Sequence, residues 1–295
     1  MKSLVFLIYN PVAKKSSENK IKQACSIFTS KGFSVEVFVT KKKGDAETYA
    51  RNSLKENPTI IVAAGGDGTV NEIANGIIGS EIPLAILPLG TTNVLAKEIG
   101  IPEDIKNSVN IAAQNSFKNI SLGKITLLEF PNITRYFLLM AGIGYDGETV
   151  YNTNENLKKI TGKGAYIFSG IKTLLKWNQE ELTFIINKNK YSAYSAIIGK
   201  ASKYAGNFHV TPDAKLTEPF FQSALFIKNG KSDMLRYIWG ILAGKISKIK
   251  DVNFIESDNI IIEGNAHIQI DGDYLGKTPA KIEIAKDALN LIYPR

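Results

Sequence analysis

Cysteine, histidine and long apolar runs are all scarce in this chain, and each scarcity removes a class of protein. The single cysteine, Cys25, rules out an intramolecular disulfide, and such sparing use suits a reducing compartment. The two histidines, His209 and His267, lie far apart, so no zinc-ligand spacing can be read. No apolar run approaches the roughly 20 residues that a membrane-spanning helix needs. The N-terminal run Leu4-Val5-Phe6-Leu7-Ile8-Tyr9 passes straight into Asn10-Pro11 without a small-residue cleavage site, and reads as a buried first strand instead of a leader. Internal repeats and low-complexity tracts are lacking too, and Lys41-Lys42-Lys43 reads as a solvated turn.

What is present suits a globular chain with one large or two modest cores, since 44% of the 295 residues are hydrophobic and 22% charged. Two domains are expected. Thirty-six Lys and Arg against 28 Asp and Glu leave a formal charge of +8, which favours anionic partners: nucleic acid, phosphorylated substrates or an acidic membrane surface. Without a recognisable reading head, nucleic acid is not expected among them.

Up to about residue 122, β-rich runs alternate with helical ones. Strands are expected at Leu4 to Tyr9, Ser34 to Val39, Thr59 to Ala64 and Pro83 to Leu87. Helices are expected at Glu18 to Lys31, Asp45 to Glu56, Thr69 to Ile78 and Asn93 to Ile99. Continuous apolar strands between helices imply a doubly wound α/β domain with a mostly parallel sheet, whose ligands sit at the carboxyl ends of the strands. From residue 123 to 295 the pattern becomes strand-rich: Tyr136 to Met140, Leu182 to Ile186, Tyr191 to Ile198, Ala224 to Ile227, Asn259 to Ile262 and His267 to Ile270. Helical periodicity remains only in Leu157 to Trp177 and Met234 to Ile249. A β-rich, antiparallel, sandwich-like second domain follows, with the last ~10 residues expected to pack back on the first domain.

The strongest local signal is Gly65-Gly66-Asp67-Gly68-Thr69, set between the strand Thr59 to Ala64 and a helix. Glycines let the backbone approach a phosphate, and the free N–H groups and positive dipole end of the new helix attract its charge. The loop lacks the Lys-Ser/Thr ending of a Walker A loop. Asp67 inside an anion-binding loop suggests a metal ligand, a base or a partner for a substrate hydroxyl. A second cluster, Gly142-Ile143-Gly144-Tyr145-Asp146-Gly147, formally matches G-x-G-x-x-G. However, no second parallel strand ending in Asp or Glu follows about 20 residues on, so a turn near the domain junction, lining the acceptor pocket, is expected there.

Three segments carry a family resemblance: Gly65-Gly66-Asp67-Gly68-Thr69-Val70-Asn71-Glu72, Pro88-Leu89-Gly90-Thr91-Thr92-Asn93 and Ile270-Asp271-Gly272-Asp273. With Asn10-Pro11 and Pro212-Asp213-Ala214-Lys215-Leu216, the chain resembles the diacylglycerol kinase catalytic family over nearly its whole length. The resemblance implies an active site in an inter-domain cleft and an ATP-dependent kinase for diacylglycerol or a related long-chain lipid, with Mg2+ as the accompanying ion. It places ATP against Asn10, Pro11, Val12, Ala13, Lys14, Thr40, Gly65, Gly66, Asp67, Gly68, Thr69, Val70, Asn71, Glu72, Thr91 and Asn93. The motif at Asp271 and Asp273 would supply the general base from the second domain, with Asp67 the other candidate. Asp271-Gly272 between strands also reads as a type I′ hairpin turn, and both roles are compatible.

The chain departs from the family pattern at several positions. Val94 and Ser121 stand where the family usually has Asp, and Asp273 replaces a Glu, one methylene longer. Thr217-Glu218-Pro219 occupies the place of an Asp-Asp-Gly run beside a structural metal, whose ligands here would be Glu218 with the carbonyls of Lys215 and Phe220.

Met234 to Lys250 mixes aliphatic and aromatic residues with a basic end, which suits either an anionic lipid interface or a core face. The expected setting is cytoplasmic, peripheral on the inner face of the membrane, with a lipid substrate at its surface and a homodimer left open. Two rival functions stand beside the lipid kinase: an NAD kinase, which shares the glycine loop, and a nucleotide-binding regulatory module without catalysis, motivated by Val94, Ser121 and Asp273.

Overall fold

The computed structural model describes residues 3–153, 170, 172–204 and 206–295, which form two compact units: 1–122 with 286–295, and 123–285. In the first unit the strands are β1 (Ser3–Tyr9), β2 (Phe33–Val39), β3 (Ile60–Gly65) and β4 (Leu84–Pro88). The helices are α1 (Glu18–Ser30), α2 (Asp45–Ser53), α3 (Asp67–Ile77), α4 (Val94–Glu98) and α5 (Ile105–Ala113). The strands pair in parallel in the order β2-β1-β3-β4. Every residue of β3 and β4 is buried, as strands covered on both faces must be. Alternate residues Val5, Leu7, Ile60, Val62, Ala85 and Leu87 join Ile21, Ala24 and Phe28 of α1 and Val109 and Ala112 of α5 in one core. On chain periodicity the intervening residues, such as Phe6, Ile8, Ile61 and Ala63, face the other way.

The chain runs between the units on two long strands, β5 (Phe117–Leu127) and the C-terminal Ala280–Ile292. The last residues of the latter join the first unit. Leu291 pairs in parallel with Leu84, Asn290 donates to the Glu81 carbonyl, and the Tyr293 amide donates to Ser116.

The second unit is antiparallel. After β6 (Thr134–Phe137) and β7 (Met140–Ile143) come α6 (Tyr145–Tyr151), β8 (Leu182–Ile186), β9 (Asn189–Ala193), β10 (Ser195–Gly199) and the short pair β11 (Lys203–Tyr204) and β12 (Phe208–His209). The chain continues through β13 (Phe221–Phe226), α7 (Lys231–Leu242), β14 (Val252–Ser257), β15 (Asn259–Glu263), β16 (His267–Ile270), β17 (Asp273–Lys277) and β18 (Ala280–Ile292). One sheet runs β18-β15-β8-β9, with β5 and β6 beside β18, and the other runs β14-β13-β10-β7-β16-β17. Phe137, Phe184, Ile186, Ile260 and Ile282 of one interdigitate with Ile143, Ile198, Phe221, Leu225 and Ile268 of the other. Phe137 and Phe221 stack at 5.9 Å between ring centroids. This is a sandwich core.

Several elements differ from the sequence expectation. The run Tyr136 to Met140 is two strands, because the amides of Leu138, Leu139 and Met140 all turn to the Asp271 carboxylate. Tyr191 to Ile198 is likewise split at Tyr194, whose amide donates to the Phe226 carbonyl. The helix expected over Met234 to Ile249 stops at Leu242, where Gly244 turns left-handed at φ 65°. Helix α5, absent from the sequence reading, is capped by the Asp104 carboxylate on the Asn107 amide at 2.9 Å. Of the helix expected over Leu157 to Trp177, residues 172–176 are helical, while 157–169 and 171 lie outside the described residues.

Candidate active site

All four strands of the first unit run the same way, so their carboxyl ends lie along one edge of the sheet. Tyr9 pairs with Val39 and with Ala64, and Gly65 pairs with Pro88. Asn10, Thr40, Gly66 and Leu89, the residues that leave the strands, therefore line that edge, where a doubly wound domain takes its ligand. The nucleotide-binding residues expected from the resemblance follow these four strand ends.

Two of the loops touch backbone to backbone. A Cβ on Gly90 would lie 2.5 Å from the Gly66 Cα, and one on Gly66 would lie 3.2 Å from the Gly90 Cα; the approach leaves no room for a side chain on Gly90 and little on Gly66. Gly66 is extended and offers α3 no side-chain cap. The first amides of α3, at Asp67, Gly68 and Thr69, are thus presented to a ligand in the manner of an anion cradle. Asn10 braces the cradle, its Nδ2 donating to Thr69 Oγ1 at 3.1 Å while its Oδ1 accepts from the Val12 amide. Glu72, one turn into α3, accepts from the Ala46 amide at the start of α2. The Thr40 amide donates to the Tyr9 carbonyl.

Asn93 and Asp67 hold the second loop in place. Asn93 is 2% exposed with a left-handed backbone at φ 49°. Its Oδ1 accepts from the Gly90 amide at 2.8 Å, and its Nδ2 donates to the Gly90 carbonyl. The Asp67 carboxylate accepts from the amides of Val94 and Leu95, both at 3.0 Å, and from Thr92 Oγ1 at 3.3 Å. Asp67 therefore caps α4 from across the loop, a purpose outside the three roles its sequence suggests. The rim carries an ion pair, Lys15 with Glu103 at 2.5 Å, and the hydrogen bond from Lys15 holds the Glu103 carboxyl below its ordinary value.

In the second unit, Asp271 and Gly272 form the turn between β16 and β17. Both have positive φ, 47° and 88°, and Ile270 pairs with Asp273 across them, which is the type I′ hairpin expected from Asp-Gly. The Asp271 carboxylate accepts from three amides, Leu138 at 2.8 Å, Leu139 at 2.9 Å and Met140 at 3.0 Å, while its own amide donates to Met140. Asp273, half-buried, is the first residue of β17.

The second glycine cluster is a packing device. A Cβ on Gly142 would strike the Asp146 carboxylate, one on Gly144 would lie 2.7 Å from the Tyr194 carbonyl, and one on Gly147 would strike the His267 carbonyl. The seat so made holds Asp146, which accepts from Tyr204 Oη at 2.5 Å and Gln269 Nε2 at 2.6 Å. Gln269 Oε1 in turn accepts from the Gly272 amide at 2.7 Å, tying the seat to the hairpin. Burial pushes the Asp146 carboxyl up, against the pull of those two hydrogen bonds. Sequence reasoning missed this chain; glycines at 142, 144 and 147 are its only local trace.

At the expected metal site the structure places a lysine. Lys200, fully buried, donates its Nζ to the carbonyls of Lys215 at 2.5 Å and Glu218 at 2.6 Å. The ammonium group takes the Lys215 carbonyl, one of the expected ligands, and bonds Glu218 through its carbonyl, so these residues as they stand do not fit a metal there. Burial lowers the Lys200 pKa to about 8, with Glu218 opposing the shift; the group is still a cation at neutral pH. A lone lysine at the end of an apolar strand gave no signal of this role. More generally, among the described residues no three His, Cys, Asp or Glu side chains are grouped to hold a metal.

A doubly wound domain with an anion cradle, followed by an antiparallel sandwich with a carboxylate hairpin, defines a two-domain phosphotransferase. The chain matches the diacylglycerol kinase catalytic domain over residues 4–125. It also matches the YegS C-terminal NAD kinase beta sandwich-like domain over residues 140–293. A diacylglycerol kinase of Staphylococcus saprophyticus is 28% identical, covering 100% of this chain and 96% of its own length. One from Staphylococcus aureus is also 28% identical, covering 95% and 89%. The crystal structure of a diacylglycerol kinase from Bacillus anthracis superposes with a TM-score of 0.75 at 21% identity, covering 99% of this chain and 97% of that one. A second structure from that organism gives 0.81, also at 21%; at such identity these two speak for the fold. The chain belongs to the diacylglycerol kinase-like lipid kinase family, whose members transfer a phosphoryl group to an alcohol.

Proposed function

We propose that this protein transfers the γ-phosphoryl group of ATP to the hydroxyl of diacylglycerol or a related long-chain lipid. The observation that carries the proposal is the meeting of Gly66 and Gly90 beside the uncapped start of α3, which leaves backbone N–H groups and bare glycine surface where a polyphosphate binds. The amides of Asp67, Gly68 and Thr69 would hold phosphate oxygens, with Asn10 to Lys14, Thr40 and Thr91 around the rest of the nucleotide. A magnesium ion travelling with the nucleotide would offset phosphate charge.

Among the candidate carboxylates, Asp67 accepts from the amides starting α4 and Asp271 from those before β7. The base role goes to Asp273 because it stands at the last position of the 271–273 motif, which the family resemblance gives that role, with Asp271 and Gly272 positioning it through the I′ turn. The lipid hydroxyl oxygen attacks the γ-phosphorus and its proton passes to the Asp273 carboxylate. The bond from the γ-phosphorus to the bridging oxygen breaks, and ADP leaves with the electron pair.

A lipid acceptor requires contact with a membrane surface, and α7 supports one. Leu235, Trp239 and Leu242, at i, i+4 and i+7, are 55%, 71% and 50% exposed, while Met234, Tyr237 and Gly240 bury the opposite face. Lys231, Lys245, Lys248 and Lys250 flank this stripe, exposed. An apolar ridge edged with lysines fits the interface of an anionic bilayer. Among the described residues no helix is long and apolar enough to cross one.

Labelled ATP, offered with mixed micelles of diacylglycerol, sphingoid base, ceramide or polyprenol and separately with NAD, tests the assignment. Label should enter a lipid, and Asp273→Asn should lower transfer by about 10²-fold or more while ATP still protects the protein against heat. Label in NAD alone would make the protein an NAD kinase. Thermal protection by ATP with no labelled acceptor would make it a regulatory module.

A further inference from the structure

A buried ammonium group bound by two carbonyls is an unusual use of lysine, because long charged side chains are almost never fully buried unless paired. Lys200 directly follows β10, and its side chain is among the largest fully buried ones. Its backbone is pinned as well: the amides of Lys200 and Ala201 both donate to the Leu139 carbonyl, at 2.8 and 3.0 Å. The acceptors of its Nζ, the Lys215 and Glu218 carbonyls, belong to a single turn closed by the Glu218 amide on the Lys215 carbonyl at 3.2 Å. That turn is itself seated in the core through Ala214 and Leu216, which are 2% and 4% exposed. Two backbone oxygens thus converge on one positive charge, with the Glu218 carboxylate lending it a favourable field. Convergent carbonyls beside a carboxylate make an oxygen site of the kind that takes hard divalent cations at about 2.0–2.6 Å. An ion at that distance and the Lys200 ammonium cannot coexist.

We infer that Lys200 is a tethered cation: it supplies the positive charge that the 215–218 turn requires, in place of a divalent metal ion, and makes that turn independent of metal. The clamp reaches further than the turn. Leu139, whose carbonyl accepts both backbone amides, donates its own amide to Asp271, so the strand end that carries Lys200 adjoins the segment bonded to the Asp271-Gly272 hairpin. The clamp itself holds whether or not the protein is a lipid kinase, and its test reads melting instead of transfer.

The experiment is thermal unfolding of the wild type, Lys200→Ala and Lys200→Met, each in EDTA and in millimolar Mg2+ or Ca2+. The wild-type melting temperature should be the same in all three media. Lys200→Ala should melt roughly 5–10 °C lower, since two buried carbonyls lose their donor, and should recover part of the loss in Mg2+ or Ca2+ but none in EDTA. Lys200→Met, whose side chain fills the space without charge, should melt low in every medium. A wild type that loses stability in EDTA or gains it from either ion overturns the inference. So does a Lys200→Ala protein that melts like the wild type or ignores both ions. Should neither variant fold, metal analysis of the wild-type protein decides: no stoichiometric divalent ion supports the tethered cation, and one bound per chain overturns it.

Discussion

Asn93 shows how much of the strand-end edge of the first unit rests on one side chain. Replacing it with alanine leaves a left-handed residue without its local hydrogen bonds and strips both Gly90 backbone groups of their partner. Strain and unpaired amides together predict a loss of about 2–4 kcal/mol, readable by urea denaturation. Asp271→Asn should be milder, about 1–3 kcal/mol, because asparagine tolerates positive φ but turns an N–H2 group towards a backbone N–H. Asp146 adds a pH dependence. Its carboxyl is held above the ordinary value by burial, so the folded chain keeps a proton that the unfolded chain has released. This group therefore withdraws stability as pH rises through its folded value. Asp146→Asn should melt with a flatter pH profile than the wild type as pH rises above the ordinary carboxylate range; identical slopes would contradict the assignment. The residue types of these sites were plain in the sequence, but their partners were not. Asp67 bonds amides 27 and 28 positions away, and Asp271 bonds amides 131 to 133 positions away. Separations of that size leave no periodic trace.

At the scale of elements, what was legible followed from burial on both faces. Three of the four parallel strands carry buried apolar runs, so β1, β3 and β4 stand within a residue or so of where the pattern puts them. The glycine loop opens α3 as the cradle chemistry requires, two residues earlier than the apolar spacing suggests. Errors fell where a distant group captures backbone amides, as at 138–140, or where a glycine ends a helix early, as at 244. The early end of α7 sharpens its ridge, because Trp239 stands free of packing on the exposed face. Trp177 is 4% exposed and Trp239 71%, so tryptophan emission reports on the ridge. Vesicles rich in anionic lipid should shift that emission to the blue, neutral vesicles less so, and Leu235→Ser with Leu242→Ser should weaken binding several-fold. An unchanged spectrum with anionic vesicles would remove α7 as the docking ridge.

At the scale of the whole molecule, the division of labour is chemical. The first unit presents backbone N–H groups at the ends of parallel strands and needs almost no charged side chain to do so. The second holds its carboxylate hairpin through the bonds from the amides of Leu138, Leu139 and Met140 to Asp271. A surplus of eight positive charges suits a protein whose proposed partners, a polyphosphate and an anionic membrane, are both negative. The family was legible from three short segments because they build the loops at the strand ends; the lysine clamp was not, since its acceptors are backbone oxygens that any residue could supply. The most direct test is a crystal structure with a non-hydrolysable ATP analogue and magnesium. Polyphosphate density against the amides of Asp67, Gly68 and Thr69, beside Gly90, is the predicted result. Nucleotide density elsewhere, with those amides bonded to side chains of the protein, would contradict it.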